Sequence, residues 1–90
     1  MILQLRESTK IDNLRNYPEE IVEKLRLLLV AGAVAHPDPS RANFYDIENG
    51  SRLFYVHLTP SGSVWLLASW LKGETQGAMV NQQAVAVQCA

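Results

Sequence analysis

The sequence predicts an α+β domain in which one main helix, with a short N-terminal helical segment beside it, packs on an antiparallel sheet of three to four strands. Three observations predict it. An apolar stripe with helical spacing runs from Ile21 to Leu29, a hairpin signal sits at Asn49-Gly50, and strand-like apolar runs lie on either side of that signal. The stretch from Asn43 to Lys72 also holds Tyr45, Phe54, Tyr55, Trp65 and Trp70, most of the large side chains of the chain.

Taken in order, Ile2, Leu3 and Leu5 suggest a short edge strand within MILQLRE. Ser8 or Thr9 can cap a turn of helix over Lys10 to Leu14. The main helix opens at Asn16-Tyr17-Pro18-Glu19-Glu20, with Asn16 placed to bond the Glu19 amide and Pro18 suited to the first turn. Its two glutamates face the positive end of the helix dipole. Ile21, Val22, Leu25, Leu28 and Leu29 form the buried stripe, and Gly32 is the expected C-terminal cap of a helix of about 14 residues. Ala33 to Ala42 reads as a connection, because Pro37 and Pro39 exclude regular helix.

The sheet follows. Phe44 to Glu48 is a half-buried strand, and Asn49-Gly50 predicts a type I′ turn with positive φ at both central residues. From Arg52 to Thr59 the period of two puts Arg52, Phe54, Val56 and Leu58 on one face and Leu53, Tyr55, His57 and Thr59 on the other. Pro60 to Ser63 turns the chain into Val64 to Leu71, which is apolar on both faces in the manner of a covered central strand. One face is expected under the helix and the other under the N-terminal helical segment or a second subunit. Trp65 and Trp70, five apart, are expected on opposite faces.

Ninety residues fit one domain, read as residues 1–72 followed by a tail at 73–90 that carries no charge after Glu74 and forms either an extra strand or a disordered end. A chain of this size buries only about 60–65% of its unfolded surface. One cysteine, Cys89, excludes an intrachain disulfide. No apolar run approaches the roughly 18 residues of a membrane span, and MILQLRES is too short and too quickly charged for a secretory signal. These points predict a cytoplasmic protein that does not engage membranes. Net charge is −1 with a pI near 6.0, so the chain lacks the overall basic balance common in nucleic-acid binders.

No metal signature or glycine-rich phosphate loop is present: His36 and His57 are the only histidines, and no cofactor is expected. The sharpest polar set is Arg52, Tyr55 and His57 on one strand with Lys72 at the end of the next and Arg41 upstream. Arginine and lysine can neutralise a phosphodiester while tyrosine or histidine moves the 2′-hydroxyl proton. Strand alternation sets Arg52 against Tyr55 and His57 unless a bulge near Gly50 or strand twist intervenes. Arg52, Tyr55, His57 and Lys72 each also suit an ordinary role in packing or on a solvated surface. Asp46 and Glu48 share a strand face and suit a solvated surface, a cation, acid–base chemistry or a pairing with Arg52 across the hairpin. A tryptophan with a free face can stack a base, although core packing is its commoner use.

The order of elements resembles the RelE/ParE superfamily of small toxins, in its HigB-like, phage-derived branch. The resemblance runs from about Tyr17 to Lys72, roughly two thirds of the chain. It rests on Phe44-Tyr45-Asp46-Ile47-Glu48 against a typical L-Y-E-L-R, Arg52-Leu53-Phe54-Tyr55 against R-V-L-Y, and Val64 to Lys72 against V-L-L-H-G-F-x-K. Glu48 stands where that branch has arginine, Ala68 or Ser69 where it often has histidine, and Gly73 where it has a second lysine. The resemblance implies a RelE-like fold and a toxin of a toxin–antitoxin pair, a metal-independent mRNA endonuclease covered by an antitoxin segment in a groove beside the sheet. It carries over Arg52, Tyr55 and Lys72 as catalytic positions; His57 is added from its place on the strand. The competing expectation is a non-catalytic module acting through protein binding or homo-oligomerisation, motivated by the two-sided apolar third strand, the uncharged tail and the missing basic residues.

Overall fold

The computed structural model of the chain describes residues 1–73, and the expectations for the C-terminal tail lie outside them. One helix and six strands follow in the order β1 (Ile2–Leu3), β2 (Ile11–Asn13), α1 (Glu19–Ala31), β3 (Ala33–Pro37), β4 (Phe44–Asn49), β5 (Arg52–Leu58) and β6 (Val64–Leu71). The strands form a single mixed sheet in the order β1-β3-β4-β5-β6-β2. Every pairing is antiparallel except β2 with β6.

The α+β class therefore holds, with more strands than the sequence predicts. Two segments account for the difference. Lys10 to Leu14 is not a helical turn: Ile11, Asp12 and Asn13 pair in register with Val64, Trp65 and Leu66. The open outer edge of β6 satisfies their backbone groups, and this outweighs a local preference for a capped turn. Likewise the start of the Ala33–Ala42 connection is strand β3, whose Ala35 pairs with Ile47. Pro37 closes that strand, where a missing N–H is harmless.

The helix has 13 residues and packs one stripe on one face of the sheet. Leu25 and Leu29 have no exposed surface, nor do Ala35, Ile47, Phe54, Val56, Val64 and Leu66 beneath them. Asn16 does not cap the helix; it sits at φ +54, and Pro18 at the N-terminal boundary makes no side-chain cap. The polar work at the entry falls to Asn13, which accepts the Tyr17 amide proton at 2.9 Å and donates to the Tyr17 carbonyl at 2.7 Å. Tyr17 in turn accepts the Ser69 amide proton on its hydroxyl at 3.0 Å, tying the helix entry to β6 beyond the end of β2. At the exit Gly32 takes φ +92, a positive value that a glycine adopts without strain, and donates to the Leu29 carbonyl.

The hairpin turn lies one residue later than expected. Asn49 pairs with Arg52 as the last rung, and only Gly50 of the two turn residues has positive φ, the pattern of type II′ rather than I′. Between β5 and β6, Tyr55 pairs with Ala68 and Val56 with Leu66, so Leu67 is an extra residue on β6. This bulge shifts the phase of everything after it. Trp65 opposes His57 and Trp70 opposes Leu53. His57 and Leu53 share a face, so both tryptophans share it too, contrary to the opposite placement that strict alternation predicts.

Candidate functional site

The same register defines the second face of the sheet, opposite the helix. It carries Val34 and His36 from β3, Phe44, Asp46 and Glu48 from β4, and Leu53, Tyr55 and His57 from β5. Trp65, Ala68 and Trp70 from β6, Asp12 from β2 and Ile2 from β1 complete it. No helix among the described residues covers this face. The N-terminal helical segment expected there is a strand in the sheet plane. Trp65 is 40% exposed and Val34 52%.

The four residues singled out in the sequence do not converge. Tyr55 and His57 lie on the open face. Arg52 lies on the helix side, where it donates to the Ser69 hydroxyl at 2.9 Å. The bulge sits on β6 at Leu67, not near Gly50, so β5 keeps its alternation and Arg52 stays apart from Tyr55. Lys72 is at the sheet end, where its ammonium pairs with Glu48 and its amide donates to the Ser51 carbonyl. Glu48 thus takes Lys72, not Arg52, as its partner across the sheet.

A polar cluster surrounds Tyr55 instead, built largely from the loop after β3. The phenol donates to Asp38 Oδ2 at 2.6 Å and accepts from the Arg41 guanidinium at 3.4 Å. Asp38 is fixed by a local turn, accepting the Ser40 amide and hydroxyl protons on Oδ1, both at 2.9 Å. Arg41 lies 4.2 Å over the Phe44 ring, a cation–π contact, and Phe44 stacks on His57 at 4.3 Å between centroids. The His57 ring approaches the Asn43 carbonyl at 3.2 Å, and Asn43 itself takes φ +68.

The electrostatics follow from these contacts. The Tyr55 hydroxyl, then the Ser40 amide, holds the Asp38 carboxyl below the usual carboxylate range. Partial burial, reinforced by the bond to Asp38, pushes the Tyr55 phenol up to about 12. Tyr55 is therefore a proton donor locked on a carboxylate and a poor base near neutrality. Asp46 is raised, first by desolvation between its strand neighbours and then by the charge of Asp38, with His36 acting the other way. More than a third of Asp46 still meets solvent, so the desolvation is partial and its energetic weight small.

Asp38 and Phe44 were not singled out as functional in the sequence. The signal for Asp38 was present in Pro37-Asp38-Pro39-Ser40, where an aspartate two residues before a serine amide favours an Asx turn. Phe44 becomes visible only through its register with His57. A shallow depression elsewhere is lined by Asn13, Tyr17, Glu19 and Val22. Among the described residues no group of three or more histidine, cysteine, aspartate or glutamate side chains is arranged to hold a metal ion. No described helix is long and apolar enough to cross a membrane. Comparison of the chain with protein-family models, with curated proteins and with solved structures finds no match.

Proposed function

We propose that this chain is a non-catalytic protein-interaction module that works through the open face of its sheet. The observation that carries this reading is the bulge at Leu67, which brings Trp65 and Trp70 onto one face together with Tyr55, His57 and Phe44. Tryptophan and tyrosine are enriched at protein interfaces because they bury large area at low entropic cost. The same register removes Arg52 from that face, leaving the phosphodiester set incomplete.

The second reading is a RelE/HigB-like toxin, a metal-independent endoribonuclease held by an antitoxin-like partner and using Arg52, Tyr55, His57 and Lys72 on RNA. It is favoured by Arg41, a cation 3.4 Å from the Tyr55 hydroxyl on the face that also carries His57. Against it stand the raised phenol and the Lys72–Glu48 pair, which occupies a cation the reaction would need.

Induced expression in bacteria separates the two, with growth and total mRNA followed for wild type, Arg52→Ala and Tyr55→Ala. The interaction module predicts folded protein, unarrested growth and stable mRNA in all three. Arrest with mRNA loss, relieved by Tyr55→Ala, overturns it in favour of the nuclease.

A further inference from the structure

The open face has a charge pattern that discriminates among partners. Of the strand residues on it, Asp12, Asp46 and Glu48 are carboxylates, and none is lysine or arginine. Asp12 is paired with Lys10 at 3.5 Å, and Glu48 with Lys72. Asp46 makes no salt bridge and no side-chain hydrogen bond among the described residues. It sits in the middle of the sheet, between His36 on β3 and Tyr55 on β5, with Phe44 two residues away on its own strand. A lone carboxylate framed by aromatic rings on a half-apolar face is the complement of a cation carried among apolar side chains.

That pattern argues against the other occupants. A nucleic acid brings a phosphate backbone, and recognition of a strand by stacking is coupled to a basic groove; here the cations at the rim are already engaged, Lys10 with Asp12, Lys72 with Glu48 and Arg41 with Tyr55 and Phe44, which leaves Asp46 to repel phosphate. A second copy related by a twofold axis through Asp46 sets that unpaired carboxylate against itself, and the cations it brings, Lys10, Arg41 and Lys72, are already engaged within its own fold. Residues 75–90 of the chain contain no lysine or arginine and cannot supply the cation.

Building on the interaction-module reading, we infer that the open face docks a segment of another protein that presents a lysine or arginine among apolar side chains, the cation seated on Asp46 and the apolar groups on Tyr55, Trp65 and Trp70. Both tryptophans of the chain lie on this face, so their fluorescence reports its occupancy directly.

The test is titration of the full chain with three synthetic helical peptides of one design, in which leucine at helical spacing is combined with lysine, with glutamine or with glutamate. The lysine peptide is expected to shift the tryptophan emission to the blue and to bind most tightly. Asp46→Asn weakens it about tenfold, the scale of one partly desolvated charge pair. Glu20→Gln, which removes the same charge from the helix on the far side, leaves it unchanged. Equal weakening by both variants reduces the effect to net charge and overturns the inference. So does a glutamate or glutamine peptide that binds as tightly as the lysine peptide, although the interaction module then survives with a different partner. A blue shift with oligouridylate, or a dimer in sedimentation that Trp65→Ala abolishes, overturns it in favour of RNA or a second copy. Loss of mRNA in the expression experiment removes the underlying reading itself, so the two failures are distinguishable.

Discussion

Phe54 and Tyr55 are neighbours on β5, and they belong to two different surfaces of one sheet. Phe54 has no exposed surface and packs with Leu25, Leu29, Ile47 and Leu66 under the helix. Tyr55 is half-buried on a face with no helix over it, and its hydroxyl is committed to Asp38 and Arg41. The helix-covered face of the sheet is aliphatic apart from Phe54 and Tyr45, and polar groups there, such as Arg52 and Ser69, satisfy one another. The open face mixes aromatic rings with carboxylates. The lesson is that one face carries the stability of this small domain, while the other is free to carry chemistry that stability alone does not require.

The sharpest way to break this contrast is to truncate one large ring on each face. Phe54→Ala leaves a cavity in a core with little capacity to collapse and is expected to cost about 3–5 kcal/mol. For a domain whose whole stability is on the order of 5–15 kcal/mol, that is a large fraction. Trp65→Ala removes a larger ring from a residue that is 40% exposed and loses mainly its cross-strand contact with His57. Its expected cost is about 1 kcal/mol or less. Urea unfolding followed by far-ultraviolet circular dichroism compares the two. A cost for Trp65→Ala matching that of Phe54→Ala shows that the open face is a second core and ends the division of labour.

That division was only half legible in the sequence. The helix-covered face followed from periodicity: the stripe from Ile21 to Leu29, the cap at Gly32 and the alternation Phe54, Val56, Leu58 are local patterns, and local patterns are what a sequence displays. The open face depends on pairing between distant segments. Leu67 looks like any other apolar residue of VWLLASWL, yet its lack of a partner turns Trp70 onto the side of Trp65. Ile11 to Asn13 is a strand only because β6 offers an edge 53 residues away in register. The Tyr55 cluster was hidden for the same reason, since Asp38 and Arg41 reach it from a loop that reads as a mere connection. Tyr55 and His57 were legible as partners on one face; their separation from Arg52 was legible too, because β5 alternates without interruption.

A second comparison sharpens the picture through pH, because the open face carries its perturbed groups as a linked set. The bond from Tyr55 lowers the folded-state pKa of Asp38 below its unfolded value near 3.9. That contribution is fully present above the unfolded value and is lost as pH falls through the lower, folded one. The Tyr55 phenol is raised to about 12, so its contribution is present below the ordinary tyrosine value of about 10 and is lost as pH climbs toward 12. Tyr55→Phe removes the shared bond. Its expected effects are a loss of about 1 kcal/mol at pH 7 and a flatter stability curve at both extremes. The acid limb is flattened in part only, since the Ser40 amide and hydroxyl still hold Asp38. Absorbance titration of the folded protein near 295 nm gives an independent check: a phenol ionising at about 12 is present in wild type and missing from Tyr55→Phe. Stability curves that coincide at every pH rule out the Tyr55–Asp38 bond as a source of stability.

Asp46 is the smallest expected effect and tests the contrast most directly. Its folded-state pKa is raised, so the protonated form favours the fold. The stability from this group is present below the unfolded value of about 3.9 and is lost as pH rises through the folded one. At pH 7 the ionised carboxylate therefore works slightly against folding, and Asp46→Asn is expected to stabilise the domain by up to roughly 0.5 kcal/mol, within the range of exposed substitutions. The gain disappears near pH 3, where the wild-type carboxyl is itself neutral. Urea midpoints at the two pH values measure the difference. A variant that is instead weaker at pH 7 reveals a favourable role for the charge inside the fold, with the cross-strand His36 as its nearest candidate. The case for an external cation then loses its footing. A stabilising Asp46→Asn that also weakens the lysine peptide leaves the opposite conclusion: the carboxylate's favourable interactions lie with a partner, and the open face gives up a little stability to keep a charge that only a second molecule can satisfy.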